Sequence, residues 1–408
     1  MSPGPDGLDP RTVLRRERAI RISIDSDETV RVVKHGGTIA CGPRGLAILD
    51  AFSQPRSMED ALKALDAHIH GMQDWIDVTN GIVALHRGGV LRDARAVDEA
   101  SPASDGTFAD PMTHAMMLND RTRTSTFVTG VERVVRPGDV VLDIGTGTGV
   151  LALAAARAGA RQVYAVEATG MAAVARRVIE ANGASDRITV VDGWSTEIDL
   201  PERADVLVGE IIGEMPLEEH VLETTLDARR RLLRPDARMM PRRLRILGLP
   251  IAIGADELAT RRIARSTIED WQTWYGIDFS PMLDAGQAQS HLVFADRASA
   301  GRFPAVAEPV DLADIDLTSF ETLHVSTETV AVASTRCSLN GIVVYFDLEL
   351  ADGVSLSSDP RVPDPRTSWR NAVWFFNEAL DVEPGDRVAV GFSYRAPGVR
   401  NGLRISRA

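Results

Sequence analysis

The segment Val140–Gly149, which reads VVLDIGTGTG, constrains the fold more than any other part of this 408-residue chain. Its apolar start predicts a buried strand that ends at Asp143, and a glycine then stands at every second position, at Gly145, Gly147 and Gly149. Glycine permits tight turns and a close approach of the backbone to a ligand, because it has no Cβ. The helix predicted next offers free N–H groups in its first turn. The segment therefore predicts a ligand-binding loop between a strand and a helix.

Strands and helices alternate throughout residues 112–241. Strands are predicted at Val140–Asp143, Gln162–Glu167, Ile188–Asp192 and Asp205–Glu210, and helices at Val150–Ala158 and Met171–Ala181. Such alternation indicates an α/β, Rossmann-like domain with a parallel sheet. In residues 242–408, strands are predicted without regular helices between them, at Leu244–Ile251, Val330–Ala333, Gly341–Leu350 and Arg387–Tyr394. These strands indicate a β-rich C-terminal domain.

The N-terminal part has a different pattern, typical of a small α+β domain at residues 19–96. Strands are predicted at Ile20–Ile24, Val30–Lys34 and Thr38–Cys41, and helices at Gly45–Phe52, Ala61–His68 and Trp75–Arg87. Ser57 begins a capping-box pattern before the second helix. Residues 1–18 are interpreted as a flexible lead, and residues 97–111, rich in Ser, Pro, Asp and Ala, as a linker.

The glycine spacing indicates which ligand the loop binds. A dinucleotide site normally has the spacing G-x-G-x-x-G, whereas this loop has G-x-G-x-G after an aspartate. That spacing suits S-adenosylmethionine, whose ammonium group needs a carboxylate or carbonyl nearby. Glu167 ends the next strand, where an acid that binds ribose hydroxyls is expected. A tight turn alone would explain the glycines, but not the acid at the second strand end.

Composition limits the classes of partner. The net charge of −13 argues against nonspecific binding of nucleic acid, and it suits a cationic substrate or simply keeps the protein in solution. No apolar run is long enough for a transmembrane helix, and the N-terminus does not resemble a signal peptide. Cys41 and Cys337 form no metal-binding pattern, so we predict no metal site and a cytoplasmic location.

Two glutamates lie nine residues apart, after the strand predicted at Asp205–Glu210. Glu210 and Glu219 flank Gly213, and without further information they could belong to a solvated acidic loop. The segment resembles the double-glutamate loop of protein arginine methyltransferases, although Gly209 stands where that family usually has serine. The resemblance implies that Glu210 and Glu219 are catalytic and hold the acceptor guanidinium.

The resemblance to protein arginine methyltransferases extends from about Thr107 to the C-terminus. His114, Met117 and Arg123 match a helix that covers the cofactor in the family, and Arg123 is implied to bind the cofactor carboxylate. Segments similar to the family's β-barrel are found at Trp271–Met282 and Asn340–Leu350. Thr367-Ser368-Trp369 resembles its threonine-histidine-tryptophan loop. A homodimer is implied, with a dimerisation arm at about residues 267–290.

The chain departs from the family at the acceptor site. Phe108 and Ser104 stand at the positions of two tyrosines, and Ser368 replaces a histidine that pairs with an aspartate at position 120. Thr196, or Ser195 after a one-residue shift, stands where an acid contacts the adenine. The implied substrate-binding residues are therefore Trp369, Ser368, Met117 and Phe108, and the implied cofactor-binding set includes Ser195 and Thr196.

Residues 18–95 resemble the RiPP recognition element, a winged-helix-like module that binds leader peptides of ribosomally made natural products. In that family a peptide adds a strand to a sheet edge and packs on a helix. We expect this site at Val30–Lys34 and the helix near Trp75–Leu85. The alternative is a generic winged helix that serves in dimerisation or DNA binding.

These patterns predict a methyltransferase that uses S-adenosylmethionine and modifies an arginine side chain of a peptide or protein. A ribosomally made precursor peptide is the substrate that the N-terminal domain suggests. One alternative is a methyltransferase for another nucleophile or a small guanidino compound. Another is a weakly active peptide-binding scaffold.

Overall fold

The computed structural model divides into two units, Met1–Ala109 and Asp110–Ala408. It describes residues 12–16, 20–24, 29–34, 37–66, 69–88, 90–93, 107–259, 265–285, 290–362, 364, 366–395 and 400–408. The division falls within the linker predicted at residues 97–111. The described end of that linker is ordered, because Thr107–Ala109 form a turn of 3₁₀ helix and Asp110 caps the next helix.

The first unit contains two antiparallel three-stranded sheets and three helices in its described residues. The elements are β1 (Val13–Arg16), β2 (Arg21–Ile24), β3 (Val30–Lys34), β4 (Gly37–Ala40), α1 (Gly45–Ala51), β5 (Arg56–Ser57), α2 (Met58–Ala64), α3 (Met72–Arg87) and β6 (Leu91–Asp93). One sheet has the order β2-β3-β4 and the other β5-β1-β6. As the capping pattern predicted, Ser57 Oγ accepts a hydrogen bond from Asp60 N at 3.1 Å.

Two expectations for this unit differ from the structure. Val13–Arg16 lie within the predicted flexible lead, yet they form the central strand β1, because Leu14 is fully buried in the core of the unit. Val30–Lys34 form a strand as expected, but β3 lies between β2 and β4. Both sides of β3 therefore already carry ladder hydrogen bonds, and the prediction that a peptide pairs with Val30–Lys34 is wrong. The edges of this sheet are β2 and β4.

The second unit begins with a parallel sheet and its helices. The elements are α4 (Pro111–Asn119), α5 (Arg121–Val134), β7 (Val140–Ile144), α6 (Val150–Arg157), β8 (Gln162–Glu167), α7 (Met171–Ala181), β9 (Ile188–Asp192), β10 (Ala204–Gly209), α8 (Val221–Arg231) and β11 (Leu233–Met240). The strand order is β11-β10-β7-β8-β9. The chain thus proceeds outward from β7 to β9 and then returns to the other side of β7. Ligands of such sheets bind where the order reverses, beyond the carboxyl ends of the strands.

The rest of the second unit is rich in antiparallel strands. Its elements are β12 (Arg243–Ile251), α9 (Ala255–Ala259), α10 (Arg265–Tyr275), α11 (Pro281–Ala285), β13 (Ser290–Ala295), α12 (Arg297–Ala300), β14 (Val310–Asp316), β15 (His324–Val332), β16 (Cys337–Ala351), β17 (Val354–Ser357), β18 (Asn371–Val382), β19 (Arg387–Arg395) and β20 (Arg400–Arg407). The sheets are β13-β18-β16-β12-β14, with β17 on β16, and β15-β19-β20. One hydrophobic core joins these sheets to the parallel sheet. Among the described residues between β12 and β14, the helices α9, α10, α11 and α12 were not predicted.

The segment predicted as a dimerisation arm exposes aromatic side chains. Trp274 and Tyr275 on α10 are 64% and 63% exposed. Tyr275 and Trp271 both make edge-to-face contacts with Phe279, with ring centroids 6.5 and 5.7 Å apart. The aromatic rings therefore pack against one another, while much of their surface is exposed.

No helix among the described residues is both long and apolar enough to cross a bilayer.

Candidate functional site

The predicted glycine loop follows β7 at the point where the strand order reverses. Gly145, Gly147 and Gly149 have φ angles of 72°, 54° and 83°, in the region that favours glycine. A Cβ on Gly145 would lie 2.9 Å from Ile211 Cγ2, and one on Gly147 would lie 2.8 Å from His114 Cε1. The loop therefore needs glycine both for its conformation and for close packing. The same proximity places the His114 ring beside the loop, while its implied contact with the cofactor stays a prediction.

Glu167 lies beside this loop at the carboxyl end of β8. Its Oε2 accepts a hydrogen bond from Gly147 N at 2.9 Å, and its Oε1 accepts one from Thr169 N at 2.9 Å. The residue is buried. Two backbone donors thus fix the carboxylate, and each oxygen retains a lone pair that can accept a hydroxyl. This geometry fits the predicted role in binding ribose.

Two buried polar atoms near the loop fit the amino acid end of S-adenosylmethionine. Asp143 is fully buried, and its Oδ2 accepts a hydrogen bond from Thr146 Oγ1 at 2.6 Å. Burial raises the pKa of Asp143 to about 7, and its Oδ1 has no hydrogen-bond partner in the described structure. Arg123 Nε is likewise buried without a partner there. An ammonium would satisfy the first atom and a carboxylate the second.

Arg123 occupies the centre of the site. Its Nη2 donates to Glu210 Oε2, and both side chains are largely buried. The guanidinium carbon lies 5.1 Å from the centroid of the Trp369 ring, within the range of a cation–π contact. Met117 completes the contacts, because its Sδ lies 3.5 Å from Arg123 Nη2. Burial lowers the pKa of Arg123 to about 10, while the charges of Asp120 and Glu219 oppose this change.

Residues 210–219 form the acidic loop, and Glu219, at its far end, faces the Arg123 cation. A Cβ on Gly213 would lie 2.8 Å from Glu219 Oε1, so the carboxylate rests directly against that glycine. Burial raises the pKa of Glu219 to about 7; Arg123 opposes this shift, and Glu214 and Glu218 add to it. Glu210 and Glu219 therefore both lie at the Arg123 cation rather than in a solvated loop; their predicted role in holding an acceptor stays a prediction.

The Ser368-Trp369 segment closes the site from the antiparallel part of the unit. Trp369 is buried, its Nε1 donates to Ile212 O at 2.9 Å, and its ring packs edge-to-face on Phe346 at 5.1 Å. Ser368 N donates to Asp120 Oδ2 at 2.8 Å, and Ser368 Oγ lies 3.3 Å from the same oxygen. Serine thus keeps the link to the aspartate that the resemblance assigned to a histidine.

The remaining predicted site residues are Phe108, Ser195 and Thr196. Phe108 lies at the end of the first unit and is 42% exposed, and its predicted role in substrate binding stays a prediction. Ser195 is buried in the loop after β9, whereas Thr196 is exposed. Burial favours Ser195 as the residue that lines the cofactor site. Ser104 lies outside the described residues.

Sequence analysis missed two interactions that support the site. Arg231 of α8 donates to Ser195 O at 2.9 Å and to Ile198 O at 2.8 Å, while it pairs with Asp227 at 2.6 Å. Only the spacing of Asp227 and Arg231, one helical turn apart, could have suggested part of this arrangement. Arg370 pairs with Glu214, 156 positions away, and no local signal indicates that contact.

Two family models match the second unit. The model described as ribosomal protein L11 methyltransferase matches residues 121–229, around the glycine loop and the parallel sheet. The model described as arginine methyltransferase oligomerization subdomain matches residues 258–401. The two together cover most of the unit that contains the site.

Curated relatives and solved structures agree with these models. Protein arginine N-methyltransferase PRMT10 of Oryza sativa subsp. japonica is 30% identical over 301 residues, which cover 68% of this chain and 79% of the relative. Arginine N(omega)-methyltransferase of Streptomyces achromogenes subsp. streptozoticus is 32% identical over 286 residues, which cover 69% and 75%. The Trypanosoma brucei PRMT1 enzyme-prozyme heterotetrameric complex with AdoHcy matches with a TM-score of 0.65 and 26% identity, over 74% of this chain and 95% of that one. The site and these similarities together show that the chain belongs to the protein arginine N-methyltransferase family, whose enzymes use S-adenosylmethionine.

Proposed function

We propose that this enzyme transfers a methyl group from S-adenosylmethionine to an arginine side chain of a peptide or protein. The observation that carries the proposal is the environment of the Arg123 guanidinium. The guanidinium contacts Glu210, interacts electrostatically with Glu219 and lies over the Trp369 ring. Acids and an aromatic wall that accept one guanidinium have the chemistry to accept another. The names of the relatives support arginine as the acceptor.

The chemistry requires these acids because a guanidinium is a poor nucleophile. Its pKa lies above roughly 12 and its lone pairs are delocalised. Glu210 and Glu219 would hold the acceptor by paired hydrogen bonds and draw positive charge onto the nitrogens they contact. The remaining terminal nitrogen would then be freer to attack. Most of the rate enhancement would come from orientation and from charges fixed in advance.

S-adenosylmethionine supplies an electrophilic sulfonium methyl when it is bound. The residues that would hold it are Asp143, Glu167, His114 and Arg123, with Ser195 at the adenine end. Transfer of a methyl group to a protonated guanidinium releases one proton. The pKa of Glu219, raised by burial to about 7, makes its carboxylate a suitable acceptor for that proton.

Labelled cofactor tests the assignment directly. The full-length protein is incubated with methyl-labelled S-adenosylmethionine and arginine-containing peptides, and the modified residue is identified by mass spectrometry. We expect label on arginine, and a loss of at least roughly a hundredfold in the variants Glu210→Gln and Glu219→Gln. Glu180→Gln, on the exposed side of α7, is the matched control. Undiminished turnover in both acid variants would refute the proposal, and cofactor binding without turnover would favour the scaffold alternative.

A small guanidino compound is the second candidate acceptor. The relative from Streptomyces achromogenes is named for arginine itself, without reference to a protein. The same acids would hold a free guanidinium equally well, because they contact only the end of the side chain. Competition between free arginine and a peptide in the labelling assay separates the two substrates.

For the first unit we propose the binding of a leader peptide from a ribosomally made precursor. Among the described strands, the edges of the β2-β3-β4 sheet are β2 and β4, and β4 packs against α3. The approach is close at Gly88, just after the helix, where a Cβ would lie 2.0 Å from Ile39 Cδ1. An extended peptide on β4 would gain main-chain hydrogen bonds. Ala40→Pro would obstruct that edge, and we expect leader affinity to fall while the melting temperature and labelling of short peptides persist. Unchanged affinity for every candidate leader would contradict the proposal.

We also propose that the enzyme is a homodimer formed through the α10–α11 arm. The match to the oligomerization subdomain spans this segment. The exposed Trp274 and Tyr275 provide apolar surface of the kind that protein interfaces bury.

A further inference from the structure

Two adjacent residues join the antiparallel part of the second unit to the acidic loop. Arg370 Nε donates to Glu214 Oε1 at 2.6 Å, and its Nη2 donates to Glu214 Oε2 at 2.8 Å. This paired geometry is the most directional ion pair that arginine forms. The preceding residue, Trp369, donates from Nε1 to Ile212 O at 2.9 Å. The loop is therefore held at two points on either side of Gly213.

Gly213 is the residue against which Glu219 packs. A Cβ there would lie 2.8 Å from Glu219 Oε1 and 3.3 Å from Met215 O. Any movement of the backbone at Gly213 therefore changes the position available to the Glu219 carboxylate. Because Ile212 and Glu214 are both bound to the Trp369-Arg370 pair, that backbone is fixed.

The Glu214–Arg370 ion pair also bears on the charge around Glu219, through Glu214. Arg123 faces Glu219 from α5, while Glu214 and Glu218 face it from its own loop. The two acids act with burial to raise the pKa of Glu219, and Arg123 lowers it. Arg370 balances the charge of Glu214, and its guanidinium is itself held at 5.4 Å from the centroid of the Phe294 ring.

We propose that Glu214 and Arg370 are positioning residues for Glu219: the pair fixes the backbone on which that carboxylate rests and offsets a like charge beside it. This inference rests on the proposed role of Glu219 as an acid that holds the acceptor. Neither member of the pair needs to touch the acceptor. Both act through Glu219, so their removal should change how that residue titrates as well as the rate.

The test is the acid limb of the pH dependence of kcat/KM for the acceptor, which reports groups of the free enzyme. Glu214→Gln removes the like charge, so we expect the limb to move to lower pH. Arg370→Gln leaves Glu214 uncompensated, so we expect the limb to move to higher pH. Shifts of roughly half a unit to one unit are expected. The KM for S-adenosylmethionine should stay within about twofold in both variants, because neither residue belongs to the cofactor set.

Opposite shifts of the acid limb in the two variants would indicate a positioning role. A purely structural role would slow both variants and leave the acid limb in place. Arg370→Lys keeps the charge but not the double hydrogen bond. Its acid limb should therefore stay at the parental pH, while its rate is lower. Arg404→Gln removes the exposed Arg404–Glu328 pair at 2.9 Å and is the control. If Arg370→Gln fails to fold, Glu214→Gln alone tests the inference, because its acid limb must still move to lower pH.

A titration that needs no turnover separates this inference from the proposed function. The Glu219 carboxyl is followed by NMR in full-length protein labelled with 13C-glutamate, with Glu219→Gln identifying the signal. Opposite shifts in the two variants would support the pair even if arginine were not the acceptor. Unmoved signals, or shifts in the same direction, would overturn the inference even if arginine labelling were intact.

Discussion

Ser368 and Asp120 join the two halves of the catalytic unit through a single carboxylate. Asp120 Oδ2 accepts the Ser368 backbone N–H at 2.8 Å, while Oδ1 caps α5 by accepting Arg123 N at 2.9 Å. Asp120 is 1% exposed, so these bonds lie away from water. The helix that presents Arg123 and the loop that presents Trp369 are thus fixed to the same side chain.

Asp120→Ala should therefore damage both stability and cofactor binding. It removes a helix cap and leaves a buried N–H without a partner, at a cost of about 2 to 3 kcal/mol. We expect a lower melting temperature and a higher Kd for S-adenosylhomocysteine, measured by calorimetry. Ser368→Ala loses only the hydroxyl contact at 3.3 Å and should cost less than about 1 kcal/mol. Equal effects of the two substitutions would contradict this account.

Gly213→Ala should abolish most of the activity with little loss of folding. The added methyl group would lie 2.8 Å from Glu219 Oε1, so that carboxylate must move. A displacement of this kind can cost roughly a hundredfold in rate. Gly254→Ala is the matched control, because nothing lies within 4 Å of its Cβ position. The two variants are compared by kcat/KM for the acceptor and by circular dichroism.

Because the pKa of Glu219 is raised, the stability of the folded protein should depend on pH through this residue. The folded protein holds the Glu219 proton up to about pH 7, whereas the reference value is 4.5. The folded state thus binds more protons in this interval, and the contribution of Glu219 to stability falls as pH rises from about 4.5 to 7. Relative to the parent, Glu219→Gln should therefore gain melting temperature between pH 5 and pH 8, by calorimetry at each pH. A constant difference across that range would show that Glu219 does not titrate there.

The glycine loop and Glu167 could be predicted from sequence because their geometry is local. A strand, three glycines with positive φ and the next strand end follow one another within 28 residues, from Val140 to Glu167. The family resemblance extended the prediction to Arg123, Glu210, Glu219 and Trp369, which the structure brings together. The central position of β3 is local too, because β2, β3 and β4 follow one another in the chain and each pairs with its sequence neighbour. The prediction of a peptide site at Val30–Lys34 overlooked this pairing. The Glu214–Arg370 pair was missed for a different reason, because its members are 156 positions apart and meet only after the sheets pack.

Arg231 should contribute to cofactor binding through the loop after β9. Arg231→Gln would weaken the bonds to Ser195 O and Ile198 O, which hold the buried Ser195 at the predicted adenine end. We expect the Kd for S-adenosylhomocysteine to rise roughly tenfold while kcat at saturating cofactor changes little. Arg230→Gln, one position earlier and 64% exposed, is the control. A loss of kcat without a change in Kd would place Arg231 in a different role.

The exposed aromatic side chains of the α10–α11 arm should determine the oligomeric state. Exposed Trp274 and Tyr275 sit on a helix whose buried side holds only Ile268, so most of α10 is free to meet a partner. Loss of two large aromatic anchors typically costs an interface several kcal/mol. We therefore expect the double variant Trp274→Ala with Tyr275→Ala to sediment as a monomer at micromolar concentration, where the parent sediments as a dimer. Val332→Ala, an exposed apolar change on β15, should leave the dimer intact. A parent that sediments as a monomer would contradict the proposed assembly, whereas a dimeric double variant would move the interface away from the arm.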